Sequence, residues 1–387
     1  MKLLICAGGT GGGVYPALAV HQALIEILER SMNVETAHSP STSLPQQLTT
    51  LWVGGEGGME SELVNRSRIP FKTIPAAGVH GVGLGALPGN MLQLAHGFFE
   101  ARRILMDFDP DVLFFTGGYV AVPLALAGRR RPSVLYVPDI EPGLALRTLA
   151  RFASCIAVTA DASRRYFSER SHIEITGYPV RPDLAKWDKA SARDALQLRS
   201  ELPVLLVFGG SKGAQSINRA LMAGLQALLE NMQIVHITGI NNWEEIQEAA
   251  RLLPEGLLDR YHPFPYLHEE MGAALASADL ALSRAGASSL GELPLFGLPA
   301  ILVPYPYAWR YQKVNADHLA SHGAAVIAPD ESLPSEIVPL VRKLISDREL
   351  LARMRQAMRS LACPKAAEAI AALVCQAAGY QLGAANG

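Results

Sequence analysis

The chain has 387 residues, a length that exceeds one ordinary hydrophobic core and predicts two domains of about 190 residues each. Hydrophobic residues make up 49% and charged residues 18%, which is typical of a globular protein, and no apolar run reaches the ~18 residues of a membrane span. The formal net charge of −2 gives no reason to expect nucleic acid as the main partner. We expect a cytoplasmic protein, because no secretory segment precedes the first glycine cluster.

Apolar strand-like runs alternate with amphipathic helical stretches along the chain. In the N-terminal half the predicted strands are 2–7, 50–54, 71–75, 111–115, 133–138, 155–159 and 173–176. In the C-terminal half they are 203–208, 232–237, 260–263, 278–282, 299–303 and 324–327. Such alternation is typical of parallel sheets with helices on both faces. We therefore predict an α/β protein of two Rossmann-like, doubly wound domains that face a cleft.

Prolines at 179 and 182 interrupt regular structure and mark the expected linker between the domains. We predict an N-terminal domain over 1–180, a C-terminal domain over 181–363, and a C-terminal helix and tail over 364–387 that could pack back on the N-terminal domain. Residues 36–50 are rich in Ser, Thr and Pro and predict a surface excursion.

Two glycine-rich turns follow apolar strands and precede helices. We call Gly8–Gly13 the first glycine loop and Gly209–Gly213 the second glycine loop. Glycine lets backbone N–H groups approach a phosphate closely, and the following helix directs its positive dipole end at the same anion. The first loop is not a P-loop, and Val14 occupies the position of the last glycine in a dinucleotide fingerprint. The two loops predict a protein that handles two diphosphate-bearing molecules.

Polar side chains in the C-terminal half suit a sugar nucleotide. Glu292 is predicted in the first turn of a helix after strand 278–282, where its carboxylate could accept hydrogen bonds from two ribose hydroxyls. A plain surface glutamate is the alternative. Gln312 and Asn315 share one helical face, and amides supply both donors and acceptors to sugar hydroxyls. A solvated helix start would show the same residue types.

These motifs together resemble the bacterial MurG family, the UDP-N-acetylglucosamine:N-acetylmuramyl-(pentapeptide) pyrophosphoryl-undecaprenol N-acetylglucosaminyltransferases, within the GT-B glycosyltransferases. The resemblance extends from Gly8 to about Ala328, with the motifs in family order. They are Gly8–Val20, Thr116–Val120, Gly177–Arg181, Gly209–Ala214, Ser283–Glu292, and Gln312 with Asn315. The resemblance implies inverting transfer of GlcNAc from UDP-GlcNAc to the muramoyl C4 hydroxyl of lipid I, which gives lipid II in peptidoglycan synthesis.

The resemblance also implies which residues hold the two substrates. The donor-binding residues are Arg181, Ser211, Lys212, Gly213, Glu292, Gln312 and Asn315. The acceptor-binding residues are Gly9, Thr10, Gly11, Gly12, Gly13, Gly117, Gly118 and Tyr119. Arg181, Lys212 and the helix after Gly213 could stabilise the departing diphosphate without a metal ion. We therefore expect no metal and no cofactor.

Three positions depart from the family pattern. Gly13 stands where the family has a histidine that is a candidate general base, Asp139 stands where an asparagine is expected, and Lys212 replaces a glutamine. Inverting transfer needs a base near the attacking oxygen. Our hypothesis is Asp139, with Glu141 and His80 as alternatives and a solvated loop aspartate as the competing interpretation.

A membrane-facing patch is predicted between residues 79 and 103. Its apolar residues are Leu84, Leu87, Met91, Leu92, Phe98 and Phe99, and its basic residues are Arg102 and Arg103 with the run 129–131. We expect a peripheral protein on an anionic membrane surface, at the cytoplasmic face of the plasma membrane. The alternatives are a GT-B transferase with a different lipid or small-molecule acceptor, and a catalytically impaired UDP-sugar-binding protein. An epimerase of the same architecture is less favoured, because it would need histidines and acids in both halves.

Overall fold

The computed structural model describes residues 1–8, 11–35, 47–56, 60–75, 87–210, 213–306 and 311–380. Some residues singled out in the sequence lie outside these ranges. They are Gly9, Thr10, His80, Leu84, Ser211, Lys212 and most of the predicted excursion at 36–50. The chain divides into two compact units, Met1–Arg181 together with Pro364–Gly387, and Pro182–Cys363.

The first unit contains a parallel seven-stranded sheet. Its strands are β1 (Lys2–Ala7), β2 (Thr49–Gly55), β3 (Phe71–Ile74), β4 (Val112–Gly117), β5 (Ser133–Val137), β6 (Cys155–Val158) and β7 (Ile173–Ile175). Its helices before the second unit are α1 (Gly11–Glu35), α2 (Glu60–Arg66), α3 (Leu87–Phe108), α4 (Ala121–Ala127) and α5 (Leu144–Leu149). The strand order is β3-β2-β1-β4-β5-β6-β7. Strands β4 and β5 are buried along their whole length, which explains their continuous apolar sequences.

The second unit contains a parallel six-stranded sheet of order β10-β9-β8-β11-β12-β13. Its strands are β8 (Val204–Phe208), β9 (Gln233–Ile237), β10 (Tyr261–Phe264), β11 (Leu280–Ser283), β12 (Ala300–Leu302) and β13 (Ala325–Ile327). Its helices are α6 (Lys189–Ala195), α7 (Gln215–Leu229), α8 (Trp243–Ala250), α9 (Glu255–Leu258), α10 (Met271–Ser277), α11 (Ser289–Phe296), α12 (Tyr311–Ser321), α13 (Leu333–Ser346) and α14 (Arg348–Ser360). All predicted strands are present, and the predicted α/β class is confirmed.

The last helix, α15 (Ala366–Ala377), belongs to the first unit, where it contacts α1 and β5. Ile370, Ala371, Val374 and Cys375 form its buried face. This apolar face covers part of α1 and of the sheet of the first unit.

Each sheet has a point at which its strand order reverses. In the first unit this point lies between β1 and β4, and in the second unit it lies between β8 and β11. Ligands of open α/β sheets bind outside the carboxyl ends of the strands at such a switch point. The fold therefore directs attention to the residues that follow β1, β4, β8 and β11.

Candidate active site

Gly8, the first residue of the first glycine loop, packs against the turn that follows β4. Ala7 pairs with Gly117 across the two strands. A Cβ added at Gly118 would lie 2.8 Å from the carbonyl oxygen of Gly8, and Gly118 has a φ of +89°. Both the spacing and the conformation therefore require glycine. The structure brings together two of the segments that the sequence assigned to one acceptor site.

Gly13 lies in the first turn of α1, where its carbonyl oxygen accepts a 2.7 Å hydrogen bond from Thr116 Oγ1. A Cβ at Gly13 would lie 3.3 Å from the same hydroxyl oxygen. Gly11 and Gly12 precede it in the same turn, so this helix start presents backbone N–H groups without side chains. Tyr119 is exposed beside the β4 turn.

Asp139 follows β5, the strand next to β4, and is half-buried. The backbone before it is held by Thr159, whose Oγ1 donates to the Pro138 carbonyl at 2.9 Å. The hydroxyls of Tyr136 and Thr159 lie 2.8 Å apart, and Tyr136 is fully buried. Tyr136 is therefore a core residue that fixes the turn carrying Asp139.

Glu141, the alternative base, is in a different environment. Its side chain is buried, and Arg147 Nη2 donates to its Oε1 at 2.9 Å. Arg147 also donates from Nε to the Pro142 carbonyl. The Glu141 carboxylate is thus held by a charged partner on α5.

Arg181 lies at the end of the first unit, with its guanidinium 4.8 Å from the centre of the Tyr15 ring. Tyr15 is on α1, just beyond the first turn that carries Gly13. The stacking holds a half-buried positive charge against the side chain of Tyr15. Sequence reasoning did not identify Tyr15 as the partner that positions Arg181.

The second glycine loop ends at Gly213, whose N–H donates to the Gly210 carbonyl at 2.9 Å. Gly213 has a φ of +80°, and a Cβ there would lie 2.2 Å from the carbonyl oxygen of Thr238. Helix α7 begins two residues later without a side-chain cap at Ala214. Its first N–H groups therefore lie at the carboxyl end of β8, where an anion would be stabilised.

A polar cluster that sequence reasoning missed ties this helix start to two strand ends. Arg284 follows β11 and donates from Nη1 to Asp330 Oδ1 at 2.5 Å and from Nη2 to Ser216 Oγ at 2.6 Å. Ser216 Oγ in turn donates to Asp330 at 2.8 Å. Ser216 is in the first turn of α7, so the cluster fixes the helix that opens from the second glycine loop. The one available signal was an arginine directly after a buried strand.

The three predicted sugar-binding residues follow neighbouring strands of the second unit. Glu292 is half-buried in the first turn of α11, which begins after Ser288, as predicted, although the Ser288 side chain makes no capping hydrogen bond. Gln312 Oε1 accepts from the Tyr305 backbone N–H at 2.9 Å. Asn315 is fully buried and donates to the Ala285 carbonyl at 3.1 Å. The amides thus support the turns after β11 and β12, and their contacts to sugar stay a prediction.

The described ranges contain no candidate metal cluster and no candidate membrane span. No group of three or more His, Cys, Asp or Glu side chains in these ranges could hold a metal ion. Among the same residues, no helix combines the length and the apolar character that crossing a membrane requires.

Two parallel α/β units, each with a glycine-rich turn and a helix start at its switch point, are the architecture expected of a GT-B glycosyltransferase. Two family models match the chain, the glycosyltransferase family 28 N-terminal domain over residues 3–158 and the C-terminal domain over residues 204–370.

Individual relatives agree with these family models. A protein of Roseiflexus sp. named UDP-N-acetylglucosamine--N-acetylmuramyl-(pentapeptide) pyrophosphoryl-undecaprenol N-acetylglucosamine transferase is 40% identical, over 97% of this chain and 94% of its own. The protein of the same name from Desulforamulus reducens is 35% identical over 95% and 96%. The crystal structure of Acinetobacter baumannii MurG has a TM-score of 0.73 and 27% identity, and the match covers 97% of this chain and 99% of that one. The chain belongs to the MurG family within glycosyltransferase family 28, so the resemblance inferred from its motifs is confirmed.

Proposed function

We propose that this protein transfers GlcNAc from UDP-GlcNAc to the muramoyl C4 hydroxyl of lipid I, with inversion at the anomeric carbon, to give lipid II for peptidoglycan synthesis. The observation that carries the proposal is near-full-length similarity to transferases that bear the name of this reaction. The chain retains the glycine-rich turns at both switch points, which a diphosphate donor and a diphosphate-linked acceptor would each require.

In this proposal the second unit binds UDP-GlcNAc. The start of α7 and the second glycine loop hold the donor diphosphate, with Ser211 and Lys212 as further ligands. Glu292 accepts hydrogen bonds from the ribose hydroxyls, and Gln312 and Asn315 form hydrogen bonds with the GlcNAc hydroxyls. The hydrogen bond between Ser216 and Arg284 supports this assignment, because it fixes the position of the α7 start.

The first unit binds the diphosphate of the lipid-linked acceptor. The residues proposed for this contact are Gly9, Thr10, Gly11, Gly12, Gly13, Gly117, Gly118 and Tyr119. Close packing between Gly8 and Gly118 supports the proposal, because it brings two glycine-rich segments to one edge of the sheet. Phosphate oxygens are bound well by such clustered backbone N–H groups.

Chemistry requires stabilisation of the departing UDP and a base for the attacking hydroxyl. Arg181, Lys212 and the α7 helix start supply positive charge to the diphosphate. Asp139 takes the proton from the acceptor hydroxyl. Its support is its place after β5, next to the strand that carries Gly117, on a backbone that Thr159 fixes.

Helix α3 provides the membrane contact, and the protein is peripheral on the cytoplasmic face of the plasma membrane. Four of its apolar side chains, at positions 91, 92, 99 and 106, are 62% to 73% exposed. Positions 92, 99 and 106 are seven residues apart and share one helical face, beside the exposed Arg102 and Arg103. Exposed apolar side chains flanked by basic residues suit an anionic lipid surface. Met106 extends the patch beyond the predicted range, whereas Phe98 is half-buried.

The reaction is tested by UDP release from UDP-GlcNAc with and without a lipid I analogue. We expect release only when the analogue is present, together with a gain of one N-acetylhexosamine in the mass of the acceptor. If an unrelated lipid acceptor caused equal UDP release, lipid I would not be the specific acceptor, and the proposed acceptor would be wrong. Binding of UDP-GlcNAc with no turnover on any acceptor would make the protein a sugar-nucleotide binder instead.

A further inference from the structure

A cavity of about 400 Å³ opens in the second unit at the amino-terminal edge of its sheet. Pro203 and Asp279 lie on its wall, and they directly precede β8 and β11. The second glycine loop and Arg284 lie at the other end of these strands. The strands are four and five residues long, so the two ends are ~15 Å apart. The cavity is therefore separate from the proposed donor site.

The cavity wall carries more positive than negative charge. Its basic residues are Lys189, Arg193, Arg348 and Arg355, and its acidic residues are Glu201 and Asp279. This local surplus of positive charge contrasts with the formal net charge of −2 for the whole chain. Basic groups so close together repel one another, and an anion between them would relieve that repulsion.

The carboxylate of Asp279 lies close to three of these basic side chains. Asp279 accepts from Lys189 Nζ at 2.5 Å and from Arg193 Nη2 at 2.9 Å, and Arg355 Nη2 lies 3.7 Å from it. Within the described ranges, Arg348 makes no ion pair. Asp279 thus neutralises only part of the charge, and Arg348 and Arg355 retain donors that an anion could use.

Arg193 and Asp279 form the framework of the cavity. Arg193 donates from Nε to the Ser277 carbonyl and from Nη1 to the Ser200 carbonyl, in addition to its contact with Asp279. Asp279 also accepts the backbone N–H of Val204 at 3.0 Å. These two residues connect α6 to the starts of β8 and β11. The two arginines of α14 are therefore the basic residues of the cavity that can be replaced in a test.

We propose that this cavity binds a phosphorylated small molecule, with a phosphate monoester dianion between Arg348 and Arg355. Guanidinium groups match phosphate oxygens in geometry and charge, and a dianion compensates a surplus of two positive charges. Leu202, Pro203 and Leu351 line the same cavity and suit an organic group attached to the phosphate. The volume is within the range of sites for small molecules, well above the size of a bare phosphate ion.

Calorimetric titration of the full chain with glucose 6-phosphate tests the proposal, with UDP present in excess to fill any donor site. We expect saturable binding that weakens as salt is added, because the contacts are charged and partly exposed. The double variant Arg348→Gln/Arg355→Gln should bind at least about tenfold more weakly. Arg353→Gln is the matched control, because Arg353 is on the same helix but pairs with Glu349 at 2.8 Å and is not on the cavity wall.

Arg353→Gln and unphosphorylated glucose are the two controls of this experiment. Arg353→Gln should bind within about twofold of the native protein, and glucose without phosphate should show no saturable binding. Thermal unfolding verifies that the double variant is folded, and the single variant Arg348→Gln, which changes an exposed side chain, repeats the test if it is not. The proposal is wrong if glucose 6-phosphate does not saturate, if glucose binds equally well, or if a folded Arg348 variant binds as tightly as the native chain.

Discussion

Gly213 is the point at which the second glycine loop is held against the strand beside it. Its φ of +80° is in the left-handed region, and a Cβ there would meet the Thr238 carbonyl oxygen at 2.2 Å and Asn242 Nδ2 at 2.8 Å. Replacing Gly213 with alanine therefore introduces both backbone strain and a steric contact with backbone atoms. Because α7 begins two residues later, relief of that contact must move the helix start.

The two effects can be separated with Gly323→Ala. Gly323 has a φ of +73°, and no atom lies within 4 Å of a Cβ added there. Both variants should lose ~1–2 kcal/mol to the left-handed conformation, which corresponds to about 2–8 °C in the thermal midpoint. Only Gly213→Ala must also increase a 2.2 Å separation to the 3.4 Å at which ordinary contact begins. Loss of a hydrogen bond from the helix start to a charged phosphate costs about 1.5–3 kcal/mol, which is about 10- to 100-fold in the dissociation constant.

Calorimetric titration with UDP measures the consequence. We expect Gly213→Ala to bind UDP about 10- to 100-fold more weakly than the native protein, and Gly323→Ala to bind within about twofold of it. Thermal unfolding of both variants verifies that each is folded. If folded Gly213→Ala binds UDP as tightly as Gly323→Ala, the second glycine loop does not hold the donor diphosphate.

Three further outcomes are expected. Asp139→Asn should lower turnover by about 100- to 10,000-fold with both substrates still bound. Asp161→Asn, which changes an exposed side chain after the adjacent β6, should leave turnover unchanged. Full turnover of Asp139→Asn would exclude Asp139 as the base. Leu92→Ser should reduce co-sedimentation with anionic vesicles, and Leu252→Ser, at an exposed position of the second unit, should leave it unchanged; equal effects would contradict the α3 patch. Burial lowers the pKa of His236 to about 3, so below the ordinary histidine pKa of 6.5 the unfolded chain binds more protons at this residue. The contribution of His236 to the unfolding free energy should therefore fall by about 2 kcal/mol between pH 7 and pH 5. His236→Gln should remove this part of the pH dependence in urea titrations, and an unchanged slope would refute it.

The strands could be predicted because parallel strands buried on both faces need continuous apolar sequence. β1 was predicted at 2–7 and is found at Lys2–Ala7, and β8 differs from its prediction by one residue. The glycine loops could be predicted for a related reason. A left-handed backbone and close packing, as at Gly118 and Gly213, exclude other residues, so the physical requirement is visible in the sequence.

The polar cluster around Arg284 could not be predicted in the same way. Its partners Asp330 and Ser216 are 46 and 68 residues away along the chain, and only the order of strands brings them together. Hydrogen bonds between side chains leave no periodic pattern in a sequence. The exposed face of α3 shows the same limit, because packing of the helix, rather than its composition, decides that Phe98 is half-buried and Met106 exposed.

The departures from the family pattern in the first unit have a common structural setting. Where the family has a histidine, Gly13 has no side chain, and the Thr116 hydroxyl lies against its backbone and bonds to its carbonyl oxygen. The helix start therefore presents backbone N–H groups with no titratable side chain at this position. Asp139 follows β5, the strand next to the one that carries Thr116, at a position where the family resemblance implies an amide, and the buried Tyr136 and Thr159 fix the turn on which it lies. Phosphate binding by backbone N–H groups and proton transfer by a side chain are separate requirements. Our proposal therefore assigns the first to the glycine-rich helix start and the second to Asp139.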